Sequence, residues 1–266
     1  MTERVTPGML KFAANLSTMF GEVDFLDRFA RARAAGFRAV ECQWPYDHGL
    51  DAVARKLEEN GLELVLFNLP AGDVAAGERG LASLPERSAE FAASVEQGLA
   101  WAARLGCKQL NCLVGAPPPD ADAIAARTAL VANLRFAASA FKTRRVRLLV
   151  EPLNAYDVPR FAVHSSAEAI ALFDEVGGEN LWLQYDVYHM QRGEGELAAT
   201  IARLLPRIGH IQISDNPGRG EPGTGEINFE FLLRHIDALG YVGWIGCEYF
   251  PTRPTAESLG WMRALG

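Results

Sequence analysis

The chain has 266 residues, 49% of them hydrophobic, close to the roughly 250 of a single α/β barrel and enough to bury one large core. A formal net charge of −7 disfavours a phosphate backbone as partner, and no run approaches the roughly 18 uninterrupted apolar residues of a membrane helix, so neither nucleic acid nor membrane is expected. Residues 1–10 hold no apolar signal core, and Cys42, Cys107, Cys112 and Cys247 form no C-x-x-C pair, which reads as a cytoplasmic protein with buried, reduced thiols.

In chain order, β-type runs at 10–16, 39–44, 63–69, 109–115, 147–151, 181–186, 208–214 and 244–249 alternate with amphipathic runs at 25–35, 50–60, 90–105, 123–141, 167–176, 196–205 and 229–239. Such alternation means parallel strands joined by crossover helices, and eight strands close a barrel. Gly36, Gly61, Gly106, Gly177 and Gly240 follow the last apolar turns as helix stops, and Ser165 three residues before Glu168 reads as a capping box. An open doubly wound sheet would want a glycine-rich turn after an early strand, whereas the first strand ends Asn15-Leu16-Ser17-Thr18. Pro117-Pro118-Pro119 reads as the start of the helix after strand four, and no linker divides the chain. The expected fold is therefore α/β, a single (β/α)8 TIM barrel over 1–266. Its longest connection, 71–86 after strand three, reads as a lid over the catalytic face.

Catalytic groups of such barrels come from the carboxyl ends of the strands. Here strand five ends in Glu151, strand six in Asp186 and strand eight in Glu248, while strand seven carries Gln212. Three carboxylates and an amide on successive strands ring one spot above the barrel axis, which places the site on the last four strands. Buried carboxylates are costly unless paired, and a divalent cation is their natural partner. Four oxygen ligands leave two places in an octahedral shell for substrate oxygens, and an all-oxygen set favours Mg2+ or Mn2+ over Zn2+. Side-chain alternation supports this, since turning Asp186 and Glu248 inward sends Tyr185, Cys247 and Tyr249 outward to apolar surroundings. The plainer alternative is a set of helix caps and barrel salt bridges. His210, one layer below Gln212, reads as a hydrogen-bonded core histidine. The glycines at 218, 220, 223 and 225 lack a following Gly-Lys-Ser/Thr, which argues against a nucleotide loop.

The stretches 12–17, 67–73, 150–154, 184–192, 209–217, 220–228 and 246–249, among them Asn68-Leu69-Pro70-Ala71-Gly72-Asp73 and Tyr185-Asp186-Val187-Tyr188-His189, resemble the hydroxypyruvate isomerase family. That family lies within the xylose isomerase-like barrels, which also include ketose 3-epimerases. The resemblance implies interconversion of hydroxypyruvate and tartronate semialdehyde by metal-assisted proton transfer through a cis-enediolate, with Glu151 and Glu248 as paired acid/base glutamates. On that reading Glu151, Asp186, Gln212 and Glu248 are the metal ligands, and the partner is a small hydroxy-keto acid. Arg219, in the loop after strand seven, offers a donor fork suited to the substrate's carboxylate, and His189 offers a ring nitrogen to a substrate oxygen. The related epimerases usually have a histidine where Gln212 stands, which weakens any carry-over of their sugar specificity. The rivals are a 2-oxo-tetronate isomerase or ketose 3-epimerase on the same site, and, from another class, a metal-dependent abasic-site endonuclease. Exposed apolar helix faces leave a homo-oligomer open.

Overall fold

The computed structural model describes residues 10–264, in which eight parallel strands close a barrel in sequential order, β1 next to β2 and round to β8 beside β1. The strands are β1 Lys11–Asn15, β2 Ala39–Glu41, β3 Glu63–Asn68, β4 Gln109–Asn111, β5 Arg147–Val150, β6 Leu181–Asp186, β7 Ile208–Ile213 and β8 Trp244–Cys247. Between and after them run α1 Phe25–Ala34, α2 Leu50–Asn60, α3 Ser88–Leu105, α4 Ala123–Thr143, α5 Ser166–Val176, α6 Val187–Gly193, α7 Leu197–Leu204, α8 Phe229–Ala238 and α9 Thr255–Ser258. Among the described residues no helix is long and apolar enough to cross a membrane.

Each helix buries one stripe against the outside of the barrel: Val53 and Leu57 of α2, Phe91 and Leu99 of α3, Leu134 and Phe141 of α4, Leu232 and Ile236 of α8. They meet the outward side chains of the strands, such as Leu110, Ile211 and Ile245, in one continuous core. Inside the barrel, a small layer of Ala13, Ala39 and Val65 packs against Trp244. At this amino-terminal end Lys11 lies over the Trp244 ring at 5.1 Å and Arg147 over Trp182 at 4.4 Å, so cation–π pairs flank that end of the barrel.

Local chemistry sets the helix ends. The Asp122 carboxylate accepts from the Ile124 and Ala125 amides and so starts α4, while Pro117-Pro118-Pro119 lie in the loop before it instead of opening the helix. The Ser165 hydroxyl accepts the Glu168 amide as expected, but the Glu168 carboxylate reaches back to the amide of His164, one residue earlier than a capping box requires. Gly61, Gly106 and Gly177 end their helices in the left-handed conformation. Strands β2 and β4 stop at Glu41 and Asn111, three and four residues short of the hydrophobic runs that announced them. Beyond Asn111 the chain turns to pair with the lid segment, where Val114 bridges Gly80 in antiparallel fashion.

The loop after β7 owes its glycines to Asp215. Its carboxylate accepts from the amides of Gly223, Gly225 and Ile227, wrapping 216–227 around a single buried anion. The segment is thus folded on the protein's own carboxylate, in line with the reading that it is not a nucleotide loop.

Candidate active site

At the carboxyl ends of the strands lies a cavity of about 350 Å3, lined by Glu151, Gln184, His189, Gln212, Arg219 and Glu248 among others. All six residues named for the site on sequence grounds converge there except that Asp186 contributes from just beneath, fully buried at the end of β6. Adjacent-strand register explains the convergence: Asp186 pairs with Gln212 across β6 and β7, and Gln212 with Gly246 across β7 and β8.

Asp186 does two jobs with its two oxygens. Oδ1 accepts the Tyr188 amide at 2.8 Å and starts α6, a helix with no counterpart among the amphipathic runs of the sequence. Oδ2 is left for the cavity side, where it accepts from Arg219 Nη2 at 3.3 Å. Arg219, at φ 53°, sends the same nitrogen to Glu248 Oε2 at 3.1 Å and lays its guanidinium over the Tyr188 ring at 4.7 Å. The terminal nitrogen is therefore shared between two site carboxylates, and Nε lacks a partner among the described residues.

Glu151 accepts from Asn111 Nδ2 at 2.9 Å, and Glu248 accepts from Gln43 Nε2 at 2.7 Å and Asn15 Nδ2 at 3.3 Å. Burial raises both glutamates. Glu151 stands well above the ordinary value near 4.5 because it is desolvated and faces Glu248 and Asp186. Glu248 is pushed up to about 7 by burial, with Arg219 holding it down against the charges of Asp186 and Glu41.

His189 is held at about 4, first by desolvation, so it is neutral at pH 7. Its Nδ1 accepts the Asn154 backbone amide at 3.2 Å, which leaves the ring proton on Nε2, 3.9 Å from Asp186 Oδ2. A neutral imidazole with its N–H turned to the cavity is a donor to a substrate oxygen.

The donor set suits a divalent cation. Glu151, Asp186 and His189 present atoms within 4.8 Å of one another. Three carboxyl groups, Glu151, Asp186 and Glu248, stand against the one guanidinium of Arg219, so a divalent cation could take the place of the protons that burial favours on Glu151 and Glu248 and leave the cluster balanced. The tautomer of His189 turns a hydrogen, not a lone pair, to that spot, leaving oxygen as the ligating chemistry.

From the sequence the site sits on the last four strands, with Asn15, Asn68 and Asn111 as further hydrogen-bonding groups near the mouth of the barrel; the structure adds β2. Glu41 of β2 is fully buried in the barrel axis, where it accepts from Asn15 at 2.9 Å and Gln212 Nε2 at 2.7 Å and meets His210 Nε2 at 2.6 Å. Gln43 and Asn15 then reach Glu248 from the same side. Glu41 and Gln43 stand two residues apart in an otherwise apolar run, the spacing that puts both on the inner face. His210 is the hydrogen-bonded core histidine expected, between Glu41 and Gln109.

The family profile described as xylose isomerase-like TIM barrel matches residues 29–265. The chain belongs to that family. Among curated relatives, the hydroxypyruvate isomerase of Escherichia coli (strain K12) is 49% identical over 254 residues, covering 96% of this chain and 98% of that protein. The 2-oxo-tetronate isomerase of Cupriavidus necator is 45% identical, with 96% and 98% covered. A solved structure from Brucella melitensis, named an AP endonuclease, family 2, superposes with a TM-score of 0.93 at 40% identity, covering 96% of this chain and 99% of that one. In a xylose isomerase-like barrel of this kind, the raised glutamates carry a consequence for the cation-free protein. Because the folded state keeps protons on Glu151 and Glu248 that the unfolded chain has released, stability is fully present below about pH 4.5 and is lost as pH rises through about 7 for Glu248. Thermal melts from pH 5 to 8 should therefore show a falling Tm without added metal and a flatter profile with Mg2+ or Mn2+; a Tm that rises through this window without metal would contradict it.

Proposed function

We propose that the protein is a cation-assisted isomerase that interconverts hydroxypyruvate and tartronate semialdehyde. The observation that carries this is that two buried glutamates, Glu151 and Glu248, both raised above the ordinary carboxylate range, line one cavity beside Gln212 and His189, with Asp186 just beneath. The names of the relatives, hydroxypyruvate isomerase and 2-oxo-tetronate isomerase, point to the same class of keto acid.

The reaction takes a proton from C3, returns one to C2, and shifts the carbonyl from C2 to C3 as the hydroxyl proton moves the other way. Glu151 and Glu248 serve as the two proton carriers, one for each carbon, and burial raises both above the ordinary carboxylate range, which favours a carboxyl that both gives and takes a proton. Asp186 and Gln212 offer oxygens with no proton to transfer. His189 Nε2–H donates to a substrate oxygen, and Arg219 steadies Asp186 and Glu248 through Nη2. Glu151, Asp186, Gln212 and Glu248 would hold Mg2+ or Mn2+, which when bound polarises a carbonyl and lowers the cost of charge on the neighbouring oxygens.

A four-carbon substrate is the second reading, favoured by a cavity of about 350 Å3, which is roomy for a three-carbon acid. An abasic-site endonuclease fits less well: the acidic balance of −7 and the recessed carboxylate cluster both oppose a phosphate backbone. A ketose 3-epimerase would use the same glutamates on a sugar without a carboxylate, whereas the relatives reported above carry the names of keto-acid isomerases. The four buried reduced cysteines suit a cytoplasmic setting.

The test is proton NMR in deuterated water with hydroxypyruvate or a four-carbon 2-keto-3-hydroxy acid, with Mg2+ or Mn2+. Deuterium entering C3 of hydroxypyruvate, with tartronate semialdehyde appearing, supports the reading. Exchange on the four-carbon acid alone moves the substrate to the second reading, and exchange on neither sinks the isomerase.

A further inference from the structure

The segment 71–86 is not a free flap. Gly80 N–H donates to Ala71 O at 3.0 Å, Ser83 N–H to Val114 O at 2.8 Å, and Gly80 pairs with Val114, so the loop is clamped at its base to the chain leaving β4. Gly80, at φ +111°, is the hinge of this clamp; a Cβ there would lie 1.8 Å from Leu113 O. Its neighbour Arg79 is thereby held half-buried on the wall of the active-site cavity.

The guanidinium of Arg79 is only partly used. Nη1 donates to Val74 O at 3.2 Å and Glu78 O at 2.8 Å, which fixes the side chain. Among the described residues, Nε and Nη2 meet no protein acceptor and no carboxylate lies within ion-pairing distance. Glu78 is the nearest acid in sequence, yet its carboxylate is consumed by Arg87 and the Asp73 amide. The other arginine of the cavity, Arg219, has its terminal nitrogen committed to Asp186 and Glu248. Trp44 also lines the cavity and leaves its buried indole Nε1–H without a partner among the described residues. An unneutralised guanidinium and an unspent N–H lining the same cavity as the carboxyl groups of Glu151 and Glu248 give an anionic ligand a preferred orientation.

We propose that Arg79, with the Trp44 indole as second donor, binds the carboxylate of the substrate and is what selects keto acids over neutral ketoses. This rests on the isomerase reading above and assigns the substrate's two ends: carboxylate to the 71–86 wall, reacting carbons to Glu151 and Glu248. A fork with free Nε and Nη2 suits a carboxylate, and the recessed position strengthens the pairing by excluding water.

The experiment compares hydroxypyruvate with dihydroxyacetone, the same skeleton with a hydroxymethyl group in place of the carboxylate, in wild type, Arg79→Met and Arg79→Lys. Hydrogen exchange into deuterated water gives kcat and KM for each, and circular dichroism with thermal melts checks the fold. Arg79→Met should raise KM for hydroxypyruvate by about 10- to 100-fold, the worth of a charge-assisted pair, and leave kcat within about threefold. Its kcat/KM for dihydroxyacetone should stay put, and Arg79→Lys should recover part of the loss. An unchanged preference for the acid in Arg79→Met, or an equal loss on both compounds, overturns the assignment while wild-type turnover leaves the isomerase standing. Wild-type inertness toward every keto acid removes the isomerase reading and Arg79's ligand with it.

Discussion

Replacing either Glu151 or Glu248 by glutamine should lower kcat for hydroxypyruvate exchange by about 10²- to 10⁴-fold, the range expected when a positioned acid or base is lost. KM should move much less, since glutamine keeps the shape and one oxygen. Because the two groups act as a unit, the double variant should be no slower than about the slower single one. A structural explanation of the same loss predicts damage to the fold, and here the physics runs the opposite way. Both carboxylates are desolvated and held above their ordinary range, Glu248 at about 7. A neutral amide in either place removes a buried group that resists ionising, so the cation-free variants should melt no lower than wild type at pH 8. Activity lost with Tm held or raised marks a catalytic group; a drop of more than about 5 °C with partial activity would return these residues to the barrel's structure.

How much of this could be read from the chain depended on whether periodicity or long-range pairing decided the matter. The barrel was legible because strand and helix repeats differ and each helix carries its own stop signal, as at Gly61 and Gly177. Strand ends were less so: Cys42 and Trp44 carry the apolar run onward, but the chain leaves the β2 ladder where a bulge at Val40/Glu41 shifts its register against β3. Helix α6 hid because Val187, Tyr188 and Met190 extend the apolar run of β6, and only the Asp186 cap separates the two. For the site, acids at strand ends stood out in Glu151, Asp186 and Glu248. Glu41 did not, being one acid inside an early strand, and Arg79 carries no spacing signal at all. Its place on the cavity wall follows from the clamp between Gly80 and Val114, which no local pattern encodes.

Glu41→Ala should cost about 3–5 kcal/mol of folding stability, the largest single loss expected from any residue around the site. Glu41 can only accept hydrogen bonds, and three donors converge on it: Asn15 Nδ2, Gln212 Nε2 and His210 Nε2. Alanine leaves all three facing a void in the barrel axis. Glycine at 246 is what makes room for the carboxylate, since a Cβ there would lie 2.2 Å from Glu41 Oε2; Gly246→Ala should therefore destabilise by a similar route and to a smaller extent. The acceptor-only character of Glu41 also fixes the amides above it. Gln212 must turn its nitrogen down to Glu41, so its oxygen faces the other way and accepts from Gln184 Nε2, leaving Gln184 Oε1 without a partner. Glu41→Gln relaxes that constraint at nearly constant volume, letting Gln212 present nitrogen where oxygen is wanted. Urea unfolding at pH 7 measures the first effect, and Mn2+ binding followed by electron paramagnetic resonance measures the second. Glu41→Gln should weaken Mn2+ by about tenfold while losing less stability than Glu41→Ala. Full Mn2+ affinity in Glu41→Gln, or a stability loss under about 1 kcal/mol in Glu41→Ala, would mean that Asn15, Gln212 and His210 find their orientation without it.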